Sequence, residues 1–472
     1  MERAGLAAAE HARGLCGDTA KSILVVAGPG NNGGDALEAA AHLKRWFFRV
    51  SVVFAGERSK LPPDARAALA KWESTGGTLL GDIPKGSRFD LAIDGLFGIG
   101  LKRPLAGKYA ALVEALNALR APILAIDIAS GIDADTGAVM GCAVRAAHTI
   151  TFIAYKPGQL TLDGPDHCGQ LRLDTLVIDP PALLEPEGEL LGAEVLAAAL
   201  APRPRNFHKG NAGSVGILGG ASGMVGAAVI AGRAALRCGA GRVYLGLLSP
   251  RPPKVDTADP ELMLREPRAL LEKGLLDVLV AGPGMGKSQA SARTLRAALA
   301  APVPIVLDAD ALNLIGGGRA LAAAAGKRKP PTLVTPHPAE AARLLGETTR
   351  RVQADRVAAA RSIAKRYRAI ALLKGNGSVI AEPDGKFWIN PSGNPGMASA
   401  GMGDALAGII AALCAQGASP LSALLAGTWL HGAAADALVA AGSGPVGITA
   451  SEVIDSARSL LNAQNLKPSF SP

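Results

Sequence analysis

The chain has 472 residues, 49% of them apolar, with 49 Lys and Arg against 40 Asp and Glu and a formal net charge of +9. At roughly 100–200 residues per domain this makes about two to four domains; the apolar content excludes disorder, and no dense Lys/Arg run interleaved with aromatics points to nucleic acid. The five cysteines (Cys16, Cys142, Cys168, Cys238, Cys414) form no CxxC, which excludes a disulfide framework or thiolate zinc site; with no signal peptide and no charge-free run of about 20 apolar residues, a cytoplasmic chain without a membrane partner is expected.

In chain order, β-rich runs at 22–27, 50–55, 91–93, 123–126 and 149–153 alternate with Ala/Leu-rich helical stretches such as 36–46 and 109–119. This alternation predicts βαβ units and a parallel sheet covered on both faces. A Pro/Glu-rich stretch at 179–189, a short helical segment and Pro202-Arg203-Pro204-Arg205 make 186–205 the expected linker between domains over 1–185 and 206–472. A second α/β pattern follows, with strands expected at 214–218, 243–247, 276–281, 305–308, 332–334 and 369–374. A hairpin is expected at 377–380 and 386–389, and the end, 404–461, is largely helical.

Strand 22–27 runs into Gly28-Pro29-Gly30-Asn31-Asn32-Gly33-Gly34-Asp35. Consecutive glycines let backbone N–H groups approach an anion, and the start of the following helix adds partial positive charge. Residues 28–33 also read as G-x-G-x-x-G, and Glu57 stands near the place of a ribose-binding acid, so a dinucleotide-dependent dehydrogenase is a rival reading. Two further strand ends are polar. One is Asp94, followed by Gly95-Leu96-Phe97-Gly98-Ile99-Gly100-Leu101-Lys102-Arg103-Pro104; the other is Asp127, followed by Ile128-Ala129-Ser130-Gly131. Ligands of open parallel sheets bind at the carboxyl ends of strands, and oxygen donors gathered from three such ends suit a hard cation or acid–base chemistry.

The stretches GPGNNGGDA, DGLFGIGLKRP and IDIASGIDADTG closely resemble the N-terminal domain of the NAD(P)H-hydrate epimerase family, over residues 1–180. The resemblance implies a Rossmann-like parallel-sheet domain with a bound potassium ion. It implies that Asn31, Asn32, Gly33, Gly34 and Asp35, with Gly98, Ile99, Gly100, Leu101, Lys102, Arg103 and Pro104, hold the hydrated dinucleotide. It further implies Asn32, Asp94 and Ser130 as potassium ligands, and Asp127 at the substrate, moving the proton that interconverts the R and S hydrates. The family usually reads Pro where Ala129 stands. It also carries a helical segment ahead of the Met-Glu-x-Ala-Gly stretch at which this chain begins, so a short N-terminal helix and a weakened epimerase are expected.

The second half repeats the pattern of glycine-rich strand ends. Gly219-Gly220-Ala221-Ser222-Gly223 leads to a helix near Ala227, with His208-Lys209-Gly210 expected to supply donors from just upstream. Gly282-Pro283-Gly284-Met285-Gly286, then Asp308-Ala309-Asp310, then Thr335-Pro336-His337-Pro338 follow, the two prolines stiffening the backbone that aims His337. Lys374, Gly375, Asn376, Gly377 and Ser378 suit a phosphate or adenylate. The most informative stretch is Asn394-Pro395-Gly396-Met397-Ala398-Ser399-Ala400-Gly401-Met402-Gly403-Asp404 ahead of a helix. Its small residues let main-chain donors form an anion hole, and Asp404 can take a hydroxyl proton during phosphoryl transfer; the bland alternative for Asp404 is a helix N-cap.

This loop resembles the G-x-G-D anion hole of ribokinase-like kinases. More narrowly, HKGNAGSVGILGGASGMVGAA, GPGMG, DADALN, TPHPAE, KGNGSVI and NPSGNPGMASAGMGD resemble the ADP-dependent NAD(P)H-hydrate dehydratase domain, over residues 195–465. The resemblance implies a C-terminal ribokinase-like α/β domain in which Ala227, Gly286 and His337 contact the hydrate, Lys374–Ser378 and Gly403 contact ADP or ATP with Mg²⁺, and Asp404 is the catalytic base. The family often shows Thr or Ser where Met402 stands. Hydrated NADH and NADPH and an adenine nucleotide are then the small-molecule partners of a bifunctional lyase and isomerase, expected to be a homo-oligomer. A ribokinase-like small-molecule kinase fused to a nucleotide-binding domain, and a sensor with decayed sites, are the other readings.

Overall fold

Isoleucine, leucine and valine fill Ser22–Ala27 almost without a break, and every residue after the first is fully buried. An aliphatic run without alternation is what a central parallel strand needs, because both its faces are covered. A computed structural model describes residues 1–16, 21–200 and 202–465, and the chain divides between Pro186 and Glu187 into two units.

In the first unit, β1 (Ser22–Ala27), β2 (Arg49–Phe54), β3 (Leu79–Leu80), β4 (Leu91–Gly95), β5 (Ile123–Ile126), β6 (His148–Phe152) and β7 (Gln170–Asp174) make one sheet. All its pairings are parallel, in the order β3-β2-β1-β4-β5-β6-β7. The order reverses direction beside β1, the point at which loops of doubly wound sheets part and leave a crevice. One face is covered by the helices Glu2–Cys16, Asn31–Arg45 and Pro63–Ser74, packed in series. The N-terminal helix, expected to be short, runs 15 residues and buries Ala4, Ala8 and Ala12 on a single stripe.

In the second unit, β8 (Gly188–Leu190), β9 (Ser214–Gly219), β10 (Arg242–Leu247), β11 (Met263–Arg265), β12 (Val278–Ala281), β13 (Ile305–Leu307) and β14 (Thr332–Val334) precede β15 (Ile370–Leu373), β16 (Ser378–Ala381) and β17 (Phe387–Asn390). They form a sheet in the order β11-β10-β9-β12-β13-β14-β15-β16-β17-β8, parallel through β15 and then antiparallel along the expected hairpin. The stretch 186–205, expected as a linker, carries β8, which pairs with β17, and the helix Glu194–Ala199, which packs on Pro420–Ala440. Pro420–Ala440 is also the one helix, among the described residues, long and apolar enough to cross a bilayer; its Leu424, Leu430 and Ala434 are fully buried in the core of this unit.

The core is centred on Met402–Ala415, apolar on nearly all sides, lying against Val225–Arg237. Gly408 sets that approach: a Cβ there would stand 2.1 Å from the Ala231 carbonyl oxygen. Helix propensity alone makes Gly408→Ala stabilising by about 1 kcal/mol. The clash makes it destabilising, and overpacking of this kind costs about 1–3 kcal/mol. Faster hydrogen exchange of the second unit's strand amides in Gly408→Ala is the expected outcome; slower exchange would show that propensity wins.

Candidate functional site

In the first unit, Asn31–Asp35 is not a loop but the first turn of the helix Asn31–Arg45, begun at Gly30 without a side-chain cap. Its opening N–H groups therefore have no side-chain cap, the arrangement that suits an anion. Two of the glycines are there for the chain itself: a Cβ on Gly28 would lie 1.8 Å from the Leu96 oxygen, and one on Gly33 2.0 Å from the Gly28 oxygen. Across the crevice, Asp94 is fully buried at the end of β4. Its Oδ1 accepts from the Ser130 hydroxyl at 2.7 Å and Leu96 N at 3.2 Å, and its Oδ2 from Ser130 N at 2.9 Å. Burial pushes the Asp94 carboxyl up to about 6, against the pull of those bonds. Asn32 Nδ2 is buried without a hydrogen-bond partner, and its side chain shares the border of Gly98 with Asp127 Oδ2, 3.3 and 3.0 Å from where a Cβ would stand. The three polar strand ends thus meet.

Asp35 is pushed up to about 7, first by burial and further by Asp127 and Glu38, against the N-terminal amine. Ile99, Gly100, Lys102, Arg103 and Pro104 are exposed, and among the described residues neither Lys102 nor Arg103 makes an ion pair. Glu57, the acid of the dehydrogenase reading, is an exposed residue paired with Lys60 at 2.8 Å. Ser130 keeps its place behind Ala129, and its hydroxyl also accepts from Phe97 N at 2.8 Å.

Sequence reasoning missed the residue that meets Asp127. Lys156, just past β6, places Nζ 2.5 Å from Asp127 Oδ1, 2.7 Å from Thr151 Oγ1 and 3.0 Å from the Phe152 oxygen. Gln159 donates to the Asp127 carbonyl at 2.6 Å. The signal was available, since Lys156 follows a strand as Asp127 does.

In the second unit the strand-end loops are joined in series. Gly220 N donates to Pro283 O and Ala221 N to Gly284 O, at 2.9 and 2.7 Å. Gly286 N donates to Asp310 Oδ2 at 2.8 Å. Asp308 Oδ1 accepts from Thr335 Oγ1 at 2.8 Å and Lys374 Nζ at 2.7 Å. Lys374 Nζ lies 3.1 Å, and Asp308 Oδ2 3.4 Å, from where a Cβ on Gly403 would be. Burial works against the charge of Lys374, but Asp308, Glu340 and Asp404 outweigh it and the ammonium titrates above its ordinary value. Ala227 borders the same loops, its Cβ 3.1 Å from a Cβ on Gly284.

Asp404 is not an N-cap. Gly401, left-handed at φ +89, caps the helix Met402–Ala415, and Asp404 falls in the first turn. Its carboxyl is pushed up to about 7 by burial and by Asp308, against Lys374, with Asp310 and Glu340 adding to the rise. Met402 turns its side chain into the core, 6% exposed, so the family's hydroxyl at that position has no counterpart on the loop. The NPSGNP stretch is tied from behind: Asp436 accepts from Gly393 N at 2.8 Å and Asn394 Nδ2 at 2.9 Å. Buried Arg356 donates to the Leu373 and Gly377 carbonyls beneath Gly375–Ser378, which is why Gly375 has no room for a side chain.

The structure gives His337 a helix-capping role and changes the expectation for His208-Lys209-Gly210. His337 is half-exposed, and both ring nitrogens serve its own helix cap: Nδ1 accepts from Ala339 N at 3.1 Å, and Nε2 lies 3.2 Å from Glu340 Oε1. His208-Lys209-Gly210 sits ahead of β9, with Lys209 O 2.0 Å from where a Cβ on Gly241 would be. That is the amino end of the strand, so these donors do not join the carboxyl-end loops.

A family model described as NAD(P)H-hydrate dehydratase matches residues 215–457, and one described as YjeF-related protein N-terminus matches residues 1–158. The bifunctional NAD(P)H-hydrate repair enzyme Nnr of Escherichia coli is 39% identical over 469 residues, covering 98% of this chain and 89% of its own. That of Coxiella burnetii is 38% identical over 451 residues, covering 94% and 91%. The crystal structure of a Bacillus subtilis ADP/ATP-dependent NAD(P)H-hydrate dehydratase, grown with ATP/Mg²⁺, is 29% identical with a TM-score of 0.51, over 58% of this chain and 98% of that one. The chain belongs to the family of bifunctional NAD(P)H-hydrate repair enzymes.

Proposed function

We propose that the C-terminal unit dehydrates the S hydrate of NADH and NADPH at the expense of ADP or ATP, and that the N-terminal unit interconverts the R and S hydrates to feed it. The carrying observation is Asp404: a half-buried carboxyl at the mouth of a glycine-capped helix, titrating near neutrality, with Lys374 close by. Hydroxide leaves poorly from a reduced nicotinamide ring. Asp404 takes the proton of the ring hydroxyl as that oxygen accepts the terminal phosphoryl group and the phosphoanhydride bond breaks, releasing AMP from ADP or ADP from ATP, and a carboxyl near pH 7 suits that transfer. The open N–H groups after Gly401 and the Lys374 ammonium stabilise the charge that gathers on the phosphoryl oxygens. Phosphate then departs with the C–O bond, pushed by the ring nitrogen lone pair, and loss of the neighbouring ring proton restores the dihydropyridine.

Mg²⁺ arriving with the nucleotide would offset phosphate charge. Asp308 and Asp310 are part of what raises Asp404, but among the described residues no three acidic or imidazole side chains stand close enough to hold the ion by themselves, so the phosphate oxygens would supply most of its shell. In the N-terminal unit, Asp94, Asn32 and Ser130 fit potassium on other grounds. Asp94 is a fully buried carboxyl in no ion pair among the described residues, and the Asn32 carboxamide, whose oxygen can ligate a cation, borders Gly98 in the same crevice. The ion would supply the missing charge and fix the crevice.

Asp404→Asn is expected to lower dehydration by about 100-fold or more, the scale of general-base catalysis. Recovery of reduced-nicotinamide absorbance from hydrated NADH plus ADP measures this, and calorimetry should find nucleotide affinity nearly unchanged. Near-normal turnover would overturn the assignment.

The same variant carries a stability signature. The native Asp404 carboxyl binds its proton at about 7 against an ordinary 3.8, so the folded state holds more protons than the unfolded one between those values and loses stability as pH rises through them. Unfolding midpoints of wild type and Asp404→Asn should therefore coincide near pH 4, with the variant the more stable at pH 8.

Potassium chloride should raise the unfolding temperature of the N-terminal unit relative to choline chloride at equal ionic strength, by ligand linkage. Asp94→Asn should erase the difference; an equal response in both proteins would remove potassium from this site.

A further inference from the structure

One four-residue segment grips Asp127 from two sides. Lys156 directs Nζ to three acceptors, Asp127 Oδ1, Thr151 Oγ1 and the Phe152 carbonyl, which uses every donor an ammonium has. Gln159 Oε1 accepts from Lys156 N at 2.9 Å, while Gln159 Nε2 donates to the Asp127 carbonyl at 2.6 Å. The same glutamine therefore fixes the backbone of both partners. Lys156 and Asp127 are 17% and 15% exposed, and Gln159 is buried. Asp127 holds φ at +67, a left-handed conformation that aspartate tolerates better than most residues and in which its carbonyl meets Gln159.

The consequence is an asymmetric carboxylate. Oδ1 is tied to Lys156, and Oδ2 borders Gly98, 3.0 Å from where a Cβ would stand there. Gly98 belongs to the loop that continues through Ile99 to Pro104, and the Asn32 side chain borders the same point at 3.3 Å. Only Oδ2 faces the crevice between the β1 and β4 loops.

We propose that Lys156 is a positioning residue of the epimerase: by tying Oδ1 and, with Gln159, the Asp127 backbone, it presents Oδ2 alone to the hydrated nicotinamide. This rests on the epimerase reading of the N-terminal unit. Lysine suits the task because its three donors radiate from one point. Arginine keeps the charge, but its planar fork cannot reach the same three acceptors.

The test uses the full chain, with R-hydrate epimerisation followed by chromatography and S-hydrate dehydration as an internal control. Lys156→Met should lower epimerisation kcat on the order of 100-fold, the scale of a misplaced catalytic group, with KM changed only a few-fold and dehydration unaltered. Lys156→Arg should fall between Met and wild type, and added ethylammonium should restore part of the activity of Lys156→Gly, which loss of packing alone would not allow. If Lys156→Met unfolds the N-terminal unit, the arginine and glycine variants decide: arginine at wild-type kcat, or glycine without response to the amine, overturns the proposal. Lys156→Met epimerising at the wild-type rate overturns it as well. A wild-type chain that dehydrates the S hydrate but never converts the R hydrate overturns the epimerase reading, and this proposal falls with it.

Discussion

Both halves of this enzyme depend on main chain meeting main chain where no side chain fits. In the first unit the Gly28 backbone lies against the Leu96 carbonyl; in the second, Gly219 lies against Pro283 O and Gly282 against Asp308 O. Each contact joins the carboxyl end of one parallel strand to its neighbour's, and each admits only glycine. These junctions bring the chemical side chains within reach of one another. Asp94 meets Ser130, and Asp308 meets Thr335 and Lys374, because the strands beneath them are locked in register.

Upon that frame both units gather acids and withhold water from them. Asp35, Asp94 and Asp404 all titrate well above the ordinary carboxylate range, with burial the leading cause in every case. The two units then treat the surplus differently. In the second, Lys374 is built in beside Asp308 and the Gly403 turn. In the first, Lys156 is committed to Asp127, which leaves Asp94 without an ion-pair partner among the described residues.

Much of the architecture could be read from the sequence, because buried parallel strands are aliphatic runs and glycines punctuate their ends. Strands β1, β5 and β14 lie where they were expected to the residue, the other expected strands differ by a few residues at their ends, and β3, β7, β8 and β11 were not expected. What escaped had no such mark. The opening turn of Asn31–Arg45 is written in asparagine and glycine, poor helix formers, and so reads as loop. β8 is three residues in a proline-flanked stretch whose identity comes only from β17, nearly 200 positions downstream. His337 looked aimed by its two prolines, yet the same stiffness serves a capping box with Glu340. Motif resemblance marked the loops at the strand ends, but it could not show the supports behind them, since Lys156, Gln159, Arg356 and Asp436 are joined to those loops by folding rather than by adjacency.

The lone upstream strand β8 carries a lesson for anyone dividing this protein at its apparent joint. A cut after the Pro-Arg-Pro-Arg stretch would strip β17 of its outer neighbour and lay bare a row of amide and carbonyl groups, the template by which sheets recruit foreign strands. The catalytic half therefore begins as a physical object near Glu187, some twenty residues ahead of its first recognisable motif.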